Sequence, residues 1–131
     1  MRAADSPFAY AILRVVPRVE RGEQINVGVV VFCRQRDYLD LRTELDERRL
    51  AALAPDLDLA AVRASLEAIR AVVGGEPGGG ALAALAPSER FGWLVAPAST
   101  IIQPSQVHTG LTDDPRATLD HLFGTLVASP G

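Results

Sequence analysis

The sequence predicts an α+β domain: a small antiparallel sheet of three to four strands with two main helices packed on one face. Residues 8–42 contain three β-branched and aromatic runs separated by short polar turns, the pattern of consecutive strands. Two later stretches repeat apolar residues at helical spacing behind an acidic cap. The chain is 48% hydrophobic over 131 residues, enough to bury a single core and form one domain without staples.

Phe8–Val16 sets Phe8, Tyr10 and Ile12 on one face and Leu13 and Val15 on the other, and ends at Pro17. The charged Pro17–Glu23 segment, with Gly22, reads as a hairpin connection. Ile25–Phe32 is apolar on both faces, as a central strand covered twice would be. Arg34–Asp37 forms a turn, and Tyr38–Arg42 alternates like an exposed third strand, giving a meander. Glu44–Leu53 has helical composition and stops at Pro55. Asp56 or Asp58 then caps a longer helix to Val73, on which Leu59, Val62, Leu66, Ile69 and Val73 recur. Gly74 and Gly75 end it.

Pro77–Gly80 is expected as a flexible surface loop. It follows a helix and carries no lysine, so it is not a phosphate-binding loop. In Ala81–Pro97, Leu82 and Leu85 suggest one helical turn, and Pro87-Ser88-Glu89 opens another that carries Phe91, Trp93 and Leu94 into the core. Ser99–Gln103 reads as a short strand stopped by Pro104, extending the sheet. Asp114-Pro115 is a carboxylate cap followed by proline at the first helical position. Leu119, Leu122, Phe123, Leu126 and Val127 form the buried stripe of the helix that follows. With Asp58–Val73 and Asp114–Val127 on one face, the other face awaits a partner, a homodimer or the Ala81–Pro97 segment.

Charge and composition narrow the function. The formal net charge is −3, and all thirteen cations are arginine. Residues 1–49 carry nine arginines against eight acids, and residues 50–131 four against eight. Neither half has the basic excess of a nucleic-acid footprint, and aromatic content is only 5%, too sparse for a base-stacking platform. No run approaches the ~20 apolar residues of a membrane span, and residues 1–7 lack a signal-peptide core. A lone Cys33 cannot pair internally. The expectation is a cytoplasmic protein with no membrane partner, and with nucleic acid disfavoured as a partner.

Polar chemistry concentrates between Ala98 and Pro115, on an expected loop. His108 is the candidate catalytic residue, a general base with Asp113 as its orienting carboxylate. Its alternative role is to bond backbone groups across that loop. Ser99, Thr100 and Ser105 carry hydroxyls but no nucleophile-elbow sequence surrounds them. Thr109-Gly110 is expected to turn the chain, with glycine at positive φ. Asn26 interrupts an apolar strand on the face of Gly28, Val30 and Phe32. It either faces a pocket that Gly28 opens to a ligand or pins the Gln103–His108 loop to the sheet. Arg14, Arg18 and Arg21 with Glu20 and Glu23 form a carboxylate clamp or, more simply, mutual surface ion pairs. Asp113, Asp114 and His108 have metal-ligand chemistry, but Asp114 serves as a helix cap. No metal or cofactor is expected.

Glu20-Arg21-Gly22-Glu23-Gln24-Ile25-Asn26-Val27-Gly28-Val29-Val30-Val31-Phe32 forms one distinctive motif. Arg90-Phe91, Trp93-Leu94, Ala96-Pro97, Ser99-Thr100, Gln103 and His108-Thr109-Gly110 form a second. In this order and distance the two resemble the bacterial domain-of-unknown-function 3037 family, over about residues 8–127. Arg14, Glu20, Asn26, Gly28, Ser99, Thr100, Gln103, His108, Thr109 and Gly110 match its pattern and are the candidate ligand- or partner-binding residues. The resemblance implies no activity. It implies a small cytoplasmic protein often encoded beside a HipA-like kinase, which makes that kinase a candidate partner alongside a homodimer. Three readings follow: a non-enzymatic interaction or accessory module, a small enzyme or ligand-binding domain built on the 99–110 loop and the 25–32 strand, and nucleic-acid binding through arginines.

Overall fold

One long strand organises the molecule. β1 (Ser6–Val15) pairs on one side with β2 (Ile25–Cys33). On its other side β4 (Ile102–Pro104) and β5 (His108–Thr112) lie end to end. β3 (Tyr38–Thr43) pairs with β2, so the order is β3-β2-β1-β4 with β5 also paired to β1, antiparallel throughout. The computed structural model describes residues 5–97 and 100–128.

Both hairpins close as their residues dictate. A 3-10 turn at Val19–Arg21 leads to Gly22 at φ +67°, a conformation that glycine adopts freely. A second 3-10 turn, Arg34–Arg36, ends on Asp37 at φ 50°, whose N–H returns to the Arg34 carbonyl.

A bulge decides which way Asn26 points. Leu13 faces Gly28, yet Arg14 faces Asn26, so β2 spends an extra residue at Val27. Val27 consequently joins Leu13, Val15 and Ile25 in one core cluster. Asn26 therefore lies on the face of Tyr10, Ile12 and Arg14. That corrects the strict alternation expected from sequence, which put Asn26 beside Gly28, Val30 and Phe32.

The sheet has a hydrophobic layer on each face. On one, α1 (Glu47–Leu53) contributes Leu50, and α2 (Leu59–Val73) contributes Val62, Leu66 and Val73. α4 (Pro87–Val95) adds Phe91 and Leu94, with Phe91 stacked on Phe32 at 5.3 Å. On the other, α5 (Pro115–Leu126) sets Leu119 and Phe123 on Val29 and Val31. The fold class is the expected one, but the two main helices lie on opposite faces. Once α5 takes the second face, the doubly apolar β2 needs no outside partner to bury it.

Helix ends follow their caps. Asp46, Asp58 and Asp114 each accept from the backbone three residues on. At the end of α2, Gly75 sits at φ +65° while its N–H bonds Val72 and that of Glu76 bonds Ala71, a Schellman closure. The glycine run after it is not a free loop. It forms a 3-10 turn, Pro77–Gly79, and a short α3 (Gly80–Ala83) folded back on α2. A Cβ on Gly79 would lie 2.8 Å from the Ala83 Cβ and 3.0 Å from the α2 backbone.

Candidate functional site

The segment expected to be a polar loop is mostly the edge of the sheet. Ser99 lies outside the described residues. From Ile102 onward the chain runs antiparallel to β1 as β4, then as β5, with a break at 105–107. Ser105 bridges that break with its side chain. Its hydroxyl accepts the Ile12 N–H at 2.9 Å and donates to the Gln106 carbonyl, while its own N–H bonds the Ile12 carbonyl. The strand continues through Pro104 instead of stopping before it. His108, Thr109 and Gly110 belong to β5, not to a turn.

Face by face, the candidates separate. Arg14, Asn26, Gln103, His108 and Gly110 share the α5 side of the sheet, where Arg14 opposes Gln103 and Asn26, and Tyr10 opposes His108. Thr109 alternates to the opposite face and is exposed. Glu20 is exposed on the first hairpin, remote in register from the others. Gly28 packs against β3, where an added Cβ would lie 3.0 Å from Thr43 Cγ2 and 3.2 Å from the Arg42 carbonyl. That space is filled by the protein's own atoms, so Gly28 opens no path for a ligand.

Most of these groups are engaged in structural contacts. Asn26 Nδ2 donates to the Leu126 carbonyl at 3.0 Å. It thus ties down the end of α5, not the 103–108 segment. Arg14 Nη2 donates to the Pro104 carbonyl at 3.1 Å, whereas its buried Nε has no partner among the described residues. Thr100 donates to the Ile102 carbonyl and Gln103 to the Thr100 carbonyl. Gly110 has no positive φ. It is small because the Phe8 ring lies over it, 2.8 Å from where a Cβ would stand.

His108 is half-buried, its ring stacked on Tyr10 at 5.1 Å. Asp113 follows the far end of β5, five residues on, or about 16 Å at ~3.3 Å per strand residue. It cannot orient the imidazole. The Thr112 hydroxyl, 2.6 Å from that of Thr118 and accepting the Asp114 N–H, serves the start of α5. Among the described residues no three His, Cys, Asp or Glu side chains are placed to hold a metal. Cys33 is buried with its thiol against the Pro7 carbonyl.

The arginine cluster of the first hairpin resolves into separate pairs. Arg18 meets Asp56 at 3.2 Å, Arg21 meets Glu23, and Arg14 stands apart on the sheet. Exposed pairs of this kind contribute little stability. Elsewhere Arg42, Arg63 and Arg70 also face acids.

Two features were not anticipated. The first is the outer edge of β4 and β5, which pairs with β1 alone among the described residues. Residues 100–112 carry no Asp, Glu, Lys or Arg, and Val107 and Leu111 are 42% and 67% exposed. The opposite edge, β3, carries Asp40 and Arg42, the usual protection of an exposed strand. The second is a cleft of about 350 Å³ between Ser65, Ala68 and Ile69 of α2, the Trp93–Pro97 stretch, and Ile102 and Pro104 of β4. Trp93, expected in the core, is 45% exposed on its wall. The signal was present in the spacing: Phe91 and Leu94 fall on one side of a helix, and Trp93 falls well off it.

Fold and surface together define a two-faced α+β domain with an open sheet edge, free of Asp, Glu, Lys and Arg, beside an apolar cleft. The chain belongs to the family described as "Protein of unknown function (DUF3037)", whose sequence profile matches residues 10–127. Neither a curated protein nor a solved structure matches the chain. Among the described residues no helix is long and apolar enough to cross a membrane.

Proposed function

We propose that this protein is a non-enzymatic interaction module, and that a partner protein adds an extended segment to the outer edge of β5. One observation carries the reading: among the described residues β5 has no strand on its outer side, residues 100–112 carry no Asp, Glu, Lys or Arg, and Val107 and Leu111 are exposed. Such an edge is a template for strand addition, in which main-chain hydrogen bonds supply affinity and alternate side chains supply selectivity. The engagement of Ser105, Thr100 and Thr112 in backbone and capping bonds weighs against an enzyme built on these hydroxyls. So does the separation of His108 from Asp113.

The HipA-like kinase suggested by the family resemblance is the partner to test. Co-expression and affinity capture with that kinase should yield a complex at micromolar concentration. A lysine on the edge opposes strand pairing, so Leu111→Lys or Val107→Lys should weaken the complex at least about tenfold without lowering the melting temperature. No complex at micromolar concentration would sink the kinase assignment. A concentration-dependent dimer lost in the same variants would give the edge to a second copy of the chain.

A further inference from the structure

We propose that the cleft between α2, α4 and β4 binds a small, neutral, predominantly apolar molecule that lays a flat face against the Trp93 indole. The site is independent of the strand-addition reading, because its occupant enters between the helices and the sheet and makes no use of the β5 edge.

The cleft is built from small residues. Ser65 and Ala68 sit three apart on one face of α2, where larger side chains would close the gap. Its volume of about 350 Å³ falls at the lower end of the ~300–1,000 Å³ found for ligand pockets, which sets the occupant's size. Among the described residues no charged side chain lines it. An ion entering would lose its hydration with no counter-charge in return, so the occupant is neutral.

The walls also offer water little. Pro97 and Pro104 have no N–H. The Pro104 carbonyl already accepts from Arg14, and the Thr100 hydroxyl already donates to the Ile102 carbonyl. Among the described residues the side-chain hydroxyls of the lining come from Ser65 and Thr100. A space of this volume would hold about a dozen waters at ~30 Å³ each, and each seeks about three hydrogen bonds. Water along these walls finds few protein partners, so an apolar occupant that covers them and releases it gains free energy. The half-exposed indole supplies a flat aromatic wall and one N–H donor.

Trp93 is the only tryptophan, so its emission reports on this site. Titration of the full chain with N-phenyl-1-naphthylamine, a neutral apolar dye that absorbs indole emission, should give saturable one-to-one energy transfer. Ala68→Phe fills the cleft from an exposed helix position and should weaken binding at least tenfold at an unchanged melting temperature. Ser65→Leu repeats the test from one helical turn away should the first variant melt early. Leu111→Lys removes the exposed apolar side chain on β5 and should leave the dye affinity unchanged. The anionic relative 8-anilinonaphthalene-1-sulfonate should bind at least tenfold more weakly, read by the same transfer. The assignment is overturned by any of four results: no saturable transfer, full-strength binding in a stably folded cleft-filling variant, loss of binding in Leu111→Lys, or equal affinity for the anionic dye.

Discussion

Gly110 and Tyr38 show how much a single side chain depends on neighbours far away in sequence. In the sequence, His-Thr-Gly reads as a turn, and a glycine there suggests positive φ. In the folded chain Gly110 is mid-strand and its missing Cβ makes room for the Phe8 ring. Gly110→Ala should therefore destabilise by about 1–3 kcal/mol, the usual cost of overpacking. Combining it with Phe8→Ala should recover part of that loss, as a double-mutant cycle in urea would measure. Tyr38 carries a buried hydroxyl with no hydrogen-bond partner among the described residues. Burial, with Asp40 and Asp120 nearby, pushes its pKa from 10.0 up to about 12. The folded state thus favours the neutral phenol. Its contribution is fully present below pH 10 and is lost as pH rises from 10 towards 12. Tyr38→Phe should flatten that alkaline loss in melting experiments. At neutral pH it should be neutral to slightly stabilising, because it removes an unsatisfied donor.

At the scale of elements, two joints hold the secondary structure in register. Arg90 on α4 donates to the Val72 and Val73 carbonyls at the end of α2, and to the Leu85 carbonyl. Hydrogen bonds from a charged group contribute about 1.5–3 kcal/mol, so Arg90→Ala should cost about 2 kcal/mol in urea unfolding. Lysine should recover little, since it lacks the planar fork that spans several carbonyls. Ser105 is the joint between β4 and β5. Ser105→Ala strips the Ile12 N–H of its acceptor, and unfolding should show a loss of about 1–3 kcal/mol. A selective rise in hydrogen exchange at the Ile12 amide would locate the effect. The caps and the α2 stripe were legible, because each depends on residues a few positions apart. The joint at Ser105 was not, because its acceptor faces a strand ninety-three residues earlier.

Across the whole molecule, β2 is the most completely enclosed element. Val29, Val30 and Val31 are fully buried, with Val30 under α4 and α2 and its two neighbours under α5. Amides of Val29–Val31 should exchange only through global unfolding, with those of β5 and the Val19–Arg21 turn opening at lower free energy. Equal protection along all five strands would contradict this layering. Strand runs, capped helices and family membership over residues 10–127 follow from local pattern, because propensity and capping act over one or two turns of chain. Tertiary structure decided the rest: the reversal of Asn26 at the Val27 bulge, the placing of α5 on the second face, and the conversion of a polar loop into a sheet edge. It also turned Trp93 out to line a cleft. Each of these depends on which distant surfaces meet, and a one-residue change of register moves a side chain from one face of a sheet to the other.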